Sequence, residues 1–277
     1  MFRITTLCEN TATFGALAEF GLSMLVETDG ARFLLDTGMT RVAADNARTL
    51  GVSLQNLDAI VLSHGHVDHT GGLAAVLELT GPVRVVAHPD IFTPRFSGSR
   101  PAPHDDIRMP LSREAYEQMG ARFELSREPV AFAPGCFTTG EVAMTSDFES
   151  IDDGLTAEMD GRRMQDPLRD DLSVAVRTSA GLVVLSGCAH RGAVNTIEQL
   201  RTVTGERRLR AIAGGLHLSR ASADRIARTV EFLRKADPET VACAHCTGLT
   251  AMGALAAAFG VRFRPCHSGT VLNLSGV

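Results

Sequence analysis

Short apolar runs separated by polar turns extend along the first third of the chain. Ser23 to Glu27 and Arg32 to Asp36 predict two strands, and the Asp29-Gly30 pair between them is typical of a hairpin turn. Ala59 to Leu62 and Val83 to Ala87 are apolar almost throughout, which is typical of short strands buried on both faces. This part of the chain therefore predicts a sheet that begins with a hairpin and continues with buried strands.

Segments with helical periodicity alternate with further apolar runs through the rest of the chain. The predicted helices cover residues 42–50, 71–79, 194–203, 223–235 and 250–259, and the further predicted strands cover 172–177, 182–186, 209–213, 240–244 and 271–274. Strands followed by helices in both halves predict an α/β protein with two mixed sheets and helices on the outside. No break in composition marks a boundary, so residues 1–277 are expected to form one domain.

Two stretches interrupt this pattern. Residues 92–110 are rich in proline and arginine and have weak periodicity, and residues 142–171 are irregular and charged. Long segments without regular structure in a compact domain usually serve a function or stay disordered. We predict that 92–110 is a loop or lid inserted in the domain, and that both stretches shape the pocket.

The composition limits the classes of protein to consider. Hydrophobic residues make up 44% and charged residues 21% of the 277 positions, which is typical of a globular chain and excludes disorder. No apolar run approaches the roughly 18 residues of a membrane span, and residues 1–7 lack a signal-peptide pattern, so we expect a cytoplasmic protein without a membrane partner. A net charge of −5 and a pI near 6.0 argue against a nucleic-acid partner. Six cysteines are too few for a disulfide scaffold and predict reduced thiols, buried or metal-bound.

The candidate chemistry is concentrated in residues 63–72, Ser-His-Gly-His-Val-Asp-His-Thr-Gly-Gly. This stretch begins where the apolar strand ends, and strand ends are where α/β proteins collect binding groups. His64 and His66 can face one ion, while Asp68 and His69, on the next turn, face a second. Imidazole and carboxylate ligands together suit Zn²⁺, Fe or Mn²⁺. The motif therefore predicts a site for one or two metal ions.

This His-x-His-x-Asp-His motif after a buried strand, with Leu34 to Gly38 earlier in the chain, resembles the metallo-β-lactamase superfamily over nearly the whole sequence. Within it, one branch is most similar, that of the dihydropterin-ribofuranosylaminobenzene phosphate synthases of methanopterin biosynthesis. The matching stretches are residues 19–23, 35–38, 186–192, 214–218 and 245–248. The resemblance implies a four-layer αββα sandwich of two mixed β-sheets flanked by helices, with a two-metal site along one edge of the sheets.

The resemblance also implies two sets of ligands. They are His64, His66 and His190 for the first metal, and Asp68, His69 and His245 for the second. His190 is our choice for the third histidine of the first metal because it follows the predicted strand 182–186. The ions implied are Zn²⁺, with Mn²⁺ or Fe as alternatives.

The chain departs from the superfamily pattern at one position. A bridging aspartate usually follows a glycine there, but Gly187 is followed by Cys188. A thiolate also suits zinc, and residues i and i+2 of an extended segment point the same way, so Cys188 and His190 can both approach one ion. Either Cys188 binds metal with His190 behind it, or His190 binds with Cys188 packed beneath. We favour His190.

Further residues are candidates for supporting roles. Asp36 resembles the family's strand-end aspartate that hydrogen-bonds a ligand imidazole, with a turn-forming role as the alternative. Asp68 is the candidate to orient a water molecule or accept its proton, and His245 or His217 the candidate to protonate the leaving group. The candidates to bind an anionic small-molecule substrate are Arg191, Arg95, Arg100 and Arg108.

Three functions stay open at the level of sequence. The superfamily implies most directly a metal-dependent hydrolase acting on a phosphoester, lactone or related bond. The branch resemblance favours a synthase that joins a pyrophosphate-bearing pterin to an aminobenzene in pterin cofactor biosynthesis. A redox protein is the third, because some members of the superfamily hold iron. Neither the substrate nor the oligomeric state follows from the sequence.

Overall fold

The first of two large β-sheets carries the predicted hairpin. The computed structural model describes residues 1–99, 101–102 and 104–274, and within them each large sheet has seven strands. In spatial order, the strands of the first sheet are Val271–Asn273, Phe2–Cys8, Ser23–Thr28, Arg32–Leu35, Ala59–Val61, Val83–Ala87 and Ala121–Leu125. The hairpin pairs its third and fourth strands, and the strands from Arg32–Leu35 onward are parallel to one another.

The second large sheet is also mixed. In spatial order its strands are Phe263–Pro265, Thr240–Cys243, Leu209–Gly214, Gly181–Ser186, Ser173–Thr178, Cys136–Thr138 and Ala131–Ala133. The first four are parallel to one another, and the last three continue the sheet in antiparallel pairs. Strand–helix–strand connections build the parallel part, as the alternation of patterns predicts.

Helices cover the outer face of each sheet. Those on the first sheet are Val42–Thr49, Leu73–Thr80 and Arg113–Gln118, and those on the second are Ala193–Thr204, Ala223–Ala236 and Leu249–Phe259. A four-residue helix, Val67–Thr70, and the short 3₁₀ turns Pro89–Phe92, His245–Thr247 and Gly260–Arg262 complete the set. Among the described residues, no helix combines the length and the apolar character needed to cross a membrane.

Three apolar clusters separate the layers. One contains side chains of both sheets, such as Phe33 and Val183, so the sheets pack face to face. The others lie between each sheet and its helices, with Leu73 on one side and Ile197 on the other. Burial of apolar surface in these three clusters, one between each pair of neighbouring layers, accounts for the order helix, sheet, sheet, helix. The predicted four-layer αββα architecture is confirmed.

The two irregular stretches contain more regular structure than their patterns indicate. Arg95–Ser97, within 92–110, pairs with Leu155–Met159, which in turn pairs with Arg162–Gln165. Residues 92–110 and 142–171 thus join in a small three-stranded sheet, and the prediction that they lack regular structure is wrong. The hydrophobic pattern does not reveal the outer strand, Arg162–Gln165, because all of its residues are exposed and none alternates with a buried apolar residue.

Candidate metal centre

The predicted ligands come together at the carboxyl ends of strands from both large sheets. The first sheet contributes residues 64–69, which follow Ala59–Val61. The second contributes His190 and His245, which follow two of its parallel strands. All of these ligand candidates are buried. Carboxyl ends of parallel strands reach one edge of a sheet, so residues distant in sequence meet there.

His64, His66 and His190 form a first group of imidazoles. Nε2 of His64 lies 3.0 Å from Nδ1 of His66 and 3.2 Å from Nε2 of His190. Burial lowers the pKa of His66 to about 3 and holds the pKa values of His64 and His190 well below the ordinary value. Neutral imidazoles keep the nitrogen lone pair that a metal ion requires. The group is therefore chemically suited to bind one.

Asp68, His69 and His245 form a second group. Oδ2 of Asp68 is 3.2 Å from Nε2 of His245 and 3.6 Å from Nε2 of His69. Burial alone would raise the pKa of Asp68, but the imidazoles of His69 and His245 outweigh it and hold that pKa below its ordinary value. The rings of His64 and His69, one from each group, have centroids 4.2 Å apart. The two groups are immediate neighbours.

Cys188 lies where these groups meet. Its Sγ is 3.2 Å from Nε2 of His69 and within 4.8 Å of ligand atoms of His190 and of His245. Cys188 and His190 therefore both face the centre, although the segment is not extended as the i, i+2 argument assumes, because Ala189 between them has positive φ. A second thiol, Cys246, for which the sequence predicts no role at this centre, donates to the carbonyl oxygen of Cys188 at 3.6 Å.

The Nε2 atoms of the imidazoles converge at a spacing that ligands of one metal ion can adopt. Pairs of Nε2 atoms lie 3.2 Å apart, in His64 with His190 and in His69 with His245. A neutral ring has one proton, and in His64 and His245 the Nδ1 atom already has an acceptor. Nε2 of His66 is buried with no hydrogen-bond partner in the part of the chain that the structure describes. These donors can hold one or two divalent ions.

Asp36 lies behind the ligands, in the position that the resemblance implies. Its Oδ2 is 2.7 Å from Nδ1 of His69 and accepts a hydrogen bond from Oγ of Ser63 at 2.8 Å. The same hydroxyl lies 2.9 Å from Nδ1 of His64. Because these bonds take the Nδ1 atoms, the Nε2 atoms of both rings are directed at the centre.

His245 is oriented by the loop that follows the first strand. Its backbone N–H donates to Oε1 of Glu9 at 2.8 Å, and its Nδ1 lies 2.9 Å from Oδ1 of Asn10. The backbone of His245 has positive φ, and three other non-glycine residues at the centre share this conformation: Asp36, Ala189 and His217. Such strain persists only where the surroundings impose it, and it concentrates at functional sites.

Two adjacent carboxylates, which no motif marks, hold the ligand loops. Oδ2 of Asp170 accepts the N–H of Gly65, between His64 and His66, at 2.8 Å. Oδ2 of Asp171 accepts the N–H of Arg191, directly after His190, at 2.8 Å. The Asp170-Asp171 pair thus ties together two loops that carry the first group of imidazoles.

Arg95 supports the same loop and does not face a substrate. Its Nε and Nη2 atoms each lie 2.7 Å from a carboxylate, of Asp166 and Asp170 respectively. A Cβ added at Gly65 would collide with this guanidinium and with the carbonyl oxygen of Ile91. The prediction that Arg95 binds an anionic substrate is wrong, because the side chain is buried and both carboxylates already neutralise it.

Arg191 and Arg108 are also engaged. The guanidinium of Arg191 donates to two backbone carbonyls, of Val142 and Pro167. Arg108 pairs with a carboxylate of its own loop at 2.8 Å. Arg100 lies outside the described residues. The arrangement of Arg191 favours a structural role for it.

A cavity of about 350 Å³ opens onto the centre. Phe20, His66, Asp68, His190 and His217 are among its lining residues. The ring centroid of His217 is 4.0 Å from that of His190, and among the described residues its buried Nδ1 has no hydrogen-bond partner. A substrate in this cavity would contact both ligand groups.

Comparison with known proteins places this fold and site in a class. The model of the metallo-beta-lactamase superfamily matches residues 17–141. A relative from Methanocaldococcus jannaschii is 31% identical, and the match covers 98% of this chain and 96% of the relative. The chain belongs to the metallo-β-lactamase superfamily. That relative is named 7,8-dihydropterin-6-methyl-4-(beta-D-ribofuranosyl)-aminobenzene-5'-phosphate synthase.

Two further comparisons extend over most or all of the chain. An uncharacterised protein of the same archaeon is 28% identical, covering 90% of this chain and 92% of the relative. A crystal structure described as a metal-dependent hydrolase of the β-lactamase superfamily superposes with a TM-score of 0.85 and 29% identity, over 100% of both chains. The whole chain, and not only its first half, therefore follows the fold of this superfamily.

Proposed function

We propose that this protein is a metal-dependent hydrolase that cleaves a phosphoester, lactone or related bond of a small anionic molecule. The supporting observation is that both ligand groups stand side by side at one cavity: His64, His66 and His190 in the first, and Asp68, His69 and His245 in the second. When bound there, divalent ions lower the pKa of a water molecule and polarise an oxygen of the substrate. Zn²⁺ suits this donor set, with Mn²⁺ or Fe as alternatives.

The protein's own groups would orient the water and move its proton. Asp68 lines the cavity next to two imidazoles, and we assign it to orient the water and accept its proton. In His245 only Nε2 faces the cavity, because Nδ1 lies against Asn10, so this ring either binds metal or donates a proton. We assign His245 to metal binding and His217, which lines the cavity beside His190, to protonate the leaving group.

The second candidate is a synthase of the pterin type. The relative of that name is 31% identical to this chain over nearly the full length of both, which supports a shared reaction as well as a shared fold. In this case the cavity would hold a pyrophosphate-bearing pterin and an aminobenzene, and the metal centre would bind the pyrophosphate. The two candidates differ in chemistry but use the same residues.

A substrate panel distinguishes them. Protein loaded with Zn²⁺ or Mn²⁺ is assayed on phosphodiesters, lactones and β-lactams, and in parallel on dihydropterin pyrophosphate with an aminobenzene acceptor. Turnover of a phosphodiester or lactone alone supports the hydrolase, and condensation alone supports the synthase. Fully loaded protein that is inactive in both assays would rule out both. An iron chromophore in an anaerobic spectrum, without either activity, would favour a redox protein instead.

The choice of His190 over Cys188 as a ligand can be tested separately. We expect Cys188→Ser to keep nearly all of its metal, because three imidazoles already form the first group and His245 completes the second. Metal is measured by atomic absorption on protein freed of excess ion, with Cys136→Ser, a buried thiol in the second sheet, as the control. A loss of one ion per chain in Cys188→Ser alone would make Cys188 the ligand.

A further inference from the structure

We propose that a second cavity, next to the metal centre, binds a phosphate-type group of the substrate. This cavity has a volume of about 430 Å³ and shares Asp152, His217 and Arg220 with the metal cavity. The inference rests on the proposed function in one respect only, that the bound group belongs to the molecule that reacts at the metal centre. The residues that carry it are Arg220, Arg225 and Ser222.

Arg225 is a buried cation whose donors are only partly used. It lines the second cavity, and 9% of its surface is exposed. Nη1 donates to the carbonyl oxygen of Ser150 at 2.7 Å, but Nε and Nη2 have no hydrogen-bond partner among the described residues. Glu149, a buried carboxylate whose charge acts on Arg225, uses both oxygens to accept backbone N–H groups of another helix. Burial of this positive charge of Arg225 is costly, and an anion in the adjoining cavity would offset that cost.

A helix begins at the same cavity. Ala223–Ala236 has 14 residues, and its N-cap Ser222 lines the cavity and accepts the N–H of Arg225 at 3.1 Å. The other N–H groups of a first helical turn have no partner within the helix and favour an anion. Ser222 and Arg225 line the cavity, so the positive end of the helix dipole lies beside it, although Asp224 adds a negative charge to the same first turn.

Arg220 stands at the junction of the two cavities. Its side chain is exposed, and Nη1 lies 3.5 Å from Oδ2 of Asp152, a long and solvent-accessible ion pair. The sequence does not single out Arg220. The arginines in the described chain that it does predict to bind an anion, Arg95, Arg108 and Arg191, are held by carboxylates or carbonyls, whereas the pair of Arg220 with Asp152 is weak enough for a ligand to displace. Arginine matches phosphate oxygens in a bidentate way.

Two carboxylates, of Asp152 and Asp153, also line the second cavity. Asp152 interacts with both guanidinium groups, through the ion pair with Arg220 and through its charge with Arg225. Asp152 competes directly for Arg220, and its Oδ1 is held by the N–H of Gly154 at 2.9 Å. Because a bound anion would be repelled by Asp152, we expect Asp152→Asn to bind it more tightly.

The arrangement defines a class of substrate. His217 lines both cavities, so a molecule that extends past it would place its phosphate or diphosphate beside Arg220 and Arg225 and its reacting bond beside Asp68. The substrate would be a small molecule whose phosphate group is remote from the bond that is cleaved or formed.

The test measures anion binding without the metal. Inorganic pyrophosphate is titrated by calorimetry into His66→Ala protein, depleted of metal, and into the same protein carrying Arg220→Gln, Arg225→Lys or Asp152→Asn. Arg234→Gln is the matched control, because it removes an exposed charge from the last turn of the same helix. Circular dichroism and thermal unfolding verify that each variant is folded.

We expect the parent to bind pyrophosphate and Arg220→Gln to raise its Kd at least about tenfold, as the loss of a charge-assisted contact predicts. Arg225→Lys should also raise the Kd for pyrophosphate, and Asp152→Asn should lower it. Arg234→Gln should change the Kd by no more than about twofold, because the charge that it removes is exposed. The inference is overturned if the parent does not bind, if both arginine variants bind as the parent does, or if Arg234→Gln weakens binding equally. Turnover by metal-loaded wild-type protein is scored separately, so an inactive protein that binds pyrophosphate contradicts the proposed function alone.

Discussion

Replacing His66 by alanine is expected to remove most of the bound metal and to lower turnover at least about 100-fold. His66 is buried, and its Nδ1 lies 3.0 Å from Nε2 of His64. Its own Nε2 has no hydrogen-bond partner in the described chain. Loss of this ring removes one of three imidazoles from the first group, and with it the activation of the nucleophile. Metal content by atomic absorption and kcat on the active substrate of the panel measure both effects.

His88→Ala provides the matched control for this variant. His88 is also a buried histidine at the end of a strand, but its Nε2 lies 3.1 Å from Oε1 of Glu141. It belongs to no ligand group among the described residues. We expect this variant to retain its metal even if it loses stability. Full metal and full turnover in His66→Ala would be incompatible with the proposed centre.

Arg95→Met is expected to lower the free energy of unfolding by about 3 to 5 kcal/mol, the range for removing one partner of a buried ion pair. Arg95 pairs with Asp166 and Asp170, and all three side chains are buried. Without the guanidinium, two carboxylates stay buried and uncompensated. Because Asp170 also accepts the N–H of Gly65, we expect the affinity for metal to fall with the stability. Guanidinium chloride unfolding and competition with a chelating dye measure the two quantities.

Arg127→Met serves as the comparison. Arg127 also pairs with two carboxylates, of Asp90 and Glu141, but its side chain is 48% exposed. Because solvent weakens such pairs, we expect Arg127→Met to lower the free energy of unfolding by at most about 1 kcal/mol. If the free energy of unfolding of Arg95→Met lay within about 1 kcal/mol of the wild-type value, the ion pairs of Arg95 with Asp166 and Asp170 would not stabilise the fold as proposed.

Local patterns predict most of the two large sheets. Val83–Ala87 is observed with the bounds that its apolar run predicts, and the helix Ala193–Thr204 differs from the prediction by one residue at each end. The local pattern does not predict the strand Phe2–Cys8, because Thr5 and Thr6 interrupt its apolar run. Both threonines are nevertheless buried, since the strand lies between two neighbours inside the sheet. Polar residues in such a position depend on the surrounding tertiary structure.

The sequence by itself determined the chemistry of the centre and the class of fold. Residues 63–72 place two imidazoles, a carboxylate and a third imidazole at one strand end. Because these residues are so close in sequence, their side chains lie near one another whatever the rest of the chain does. Tertiary structure decided what supports and surrounds them. Asp170 meets Gly65 across 105 positions, and Asn10 meets His245 across 235. Hydrogen bonds of this kind leave no periodic trace in the sequence, because they form only where packing of the sheets and loops brings distant residues together.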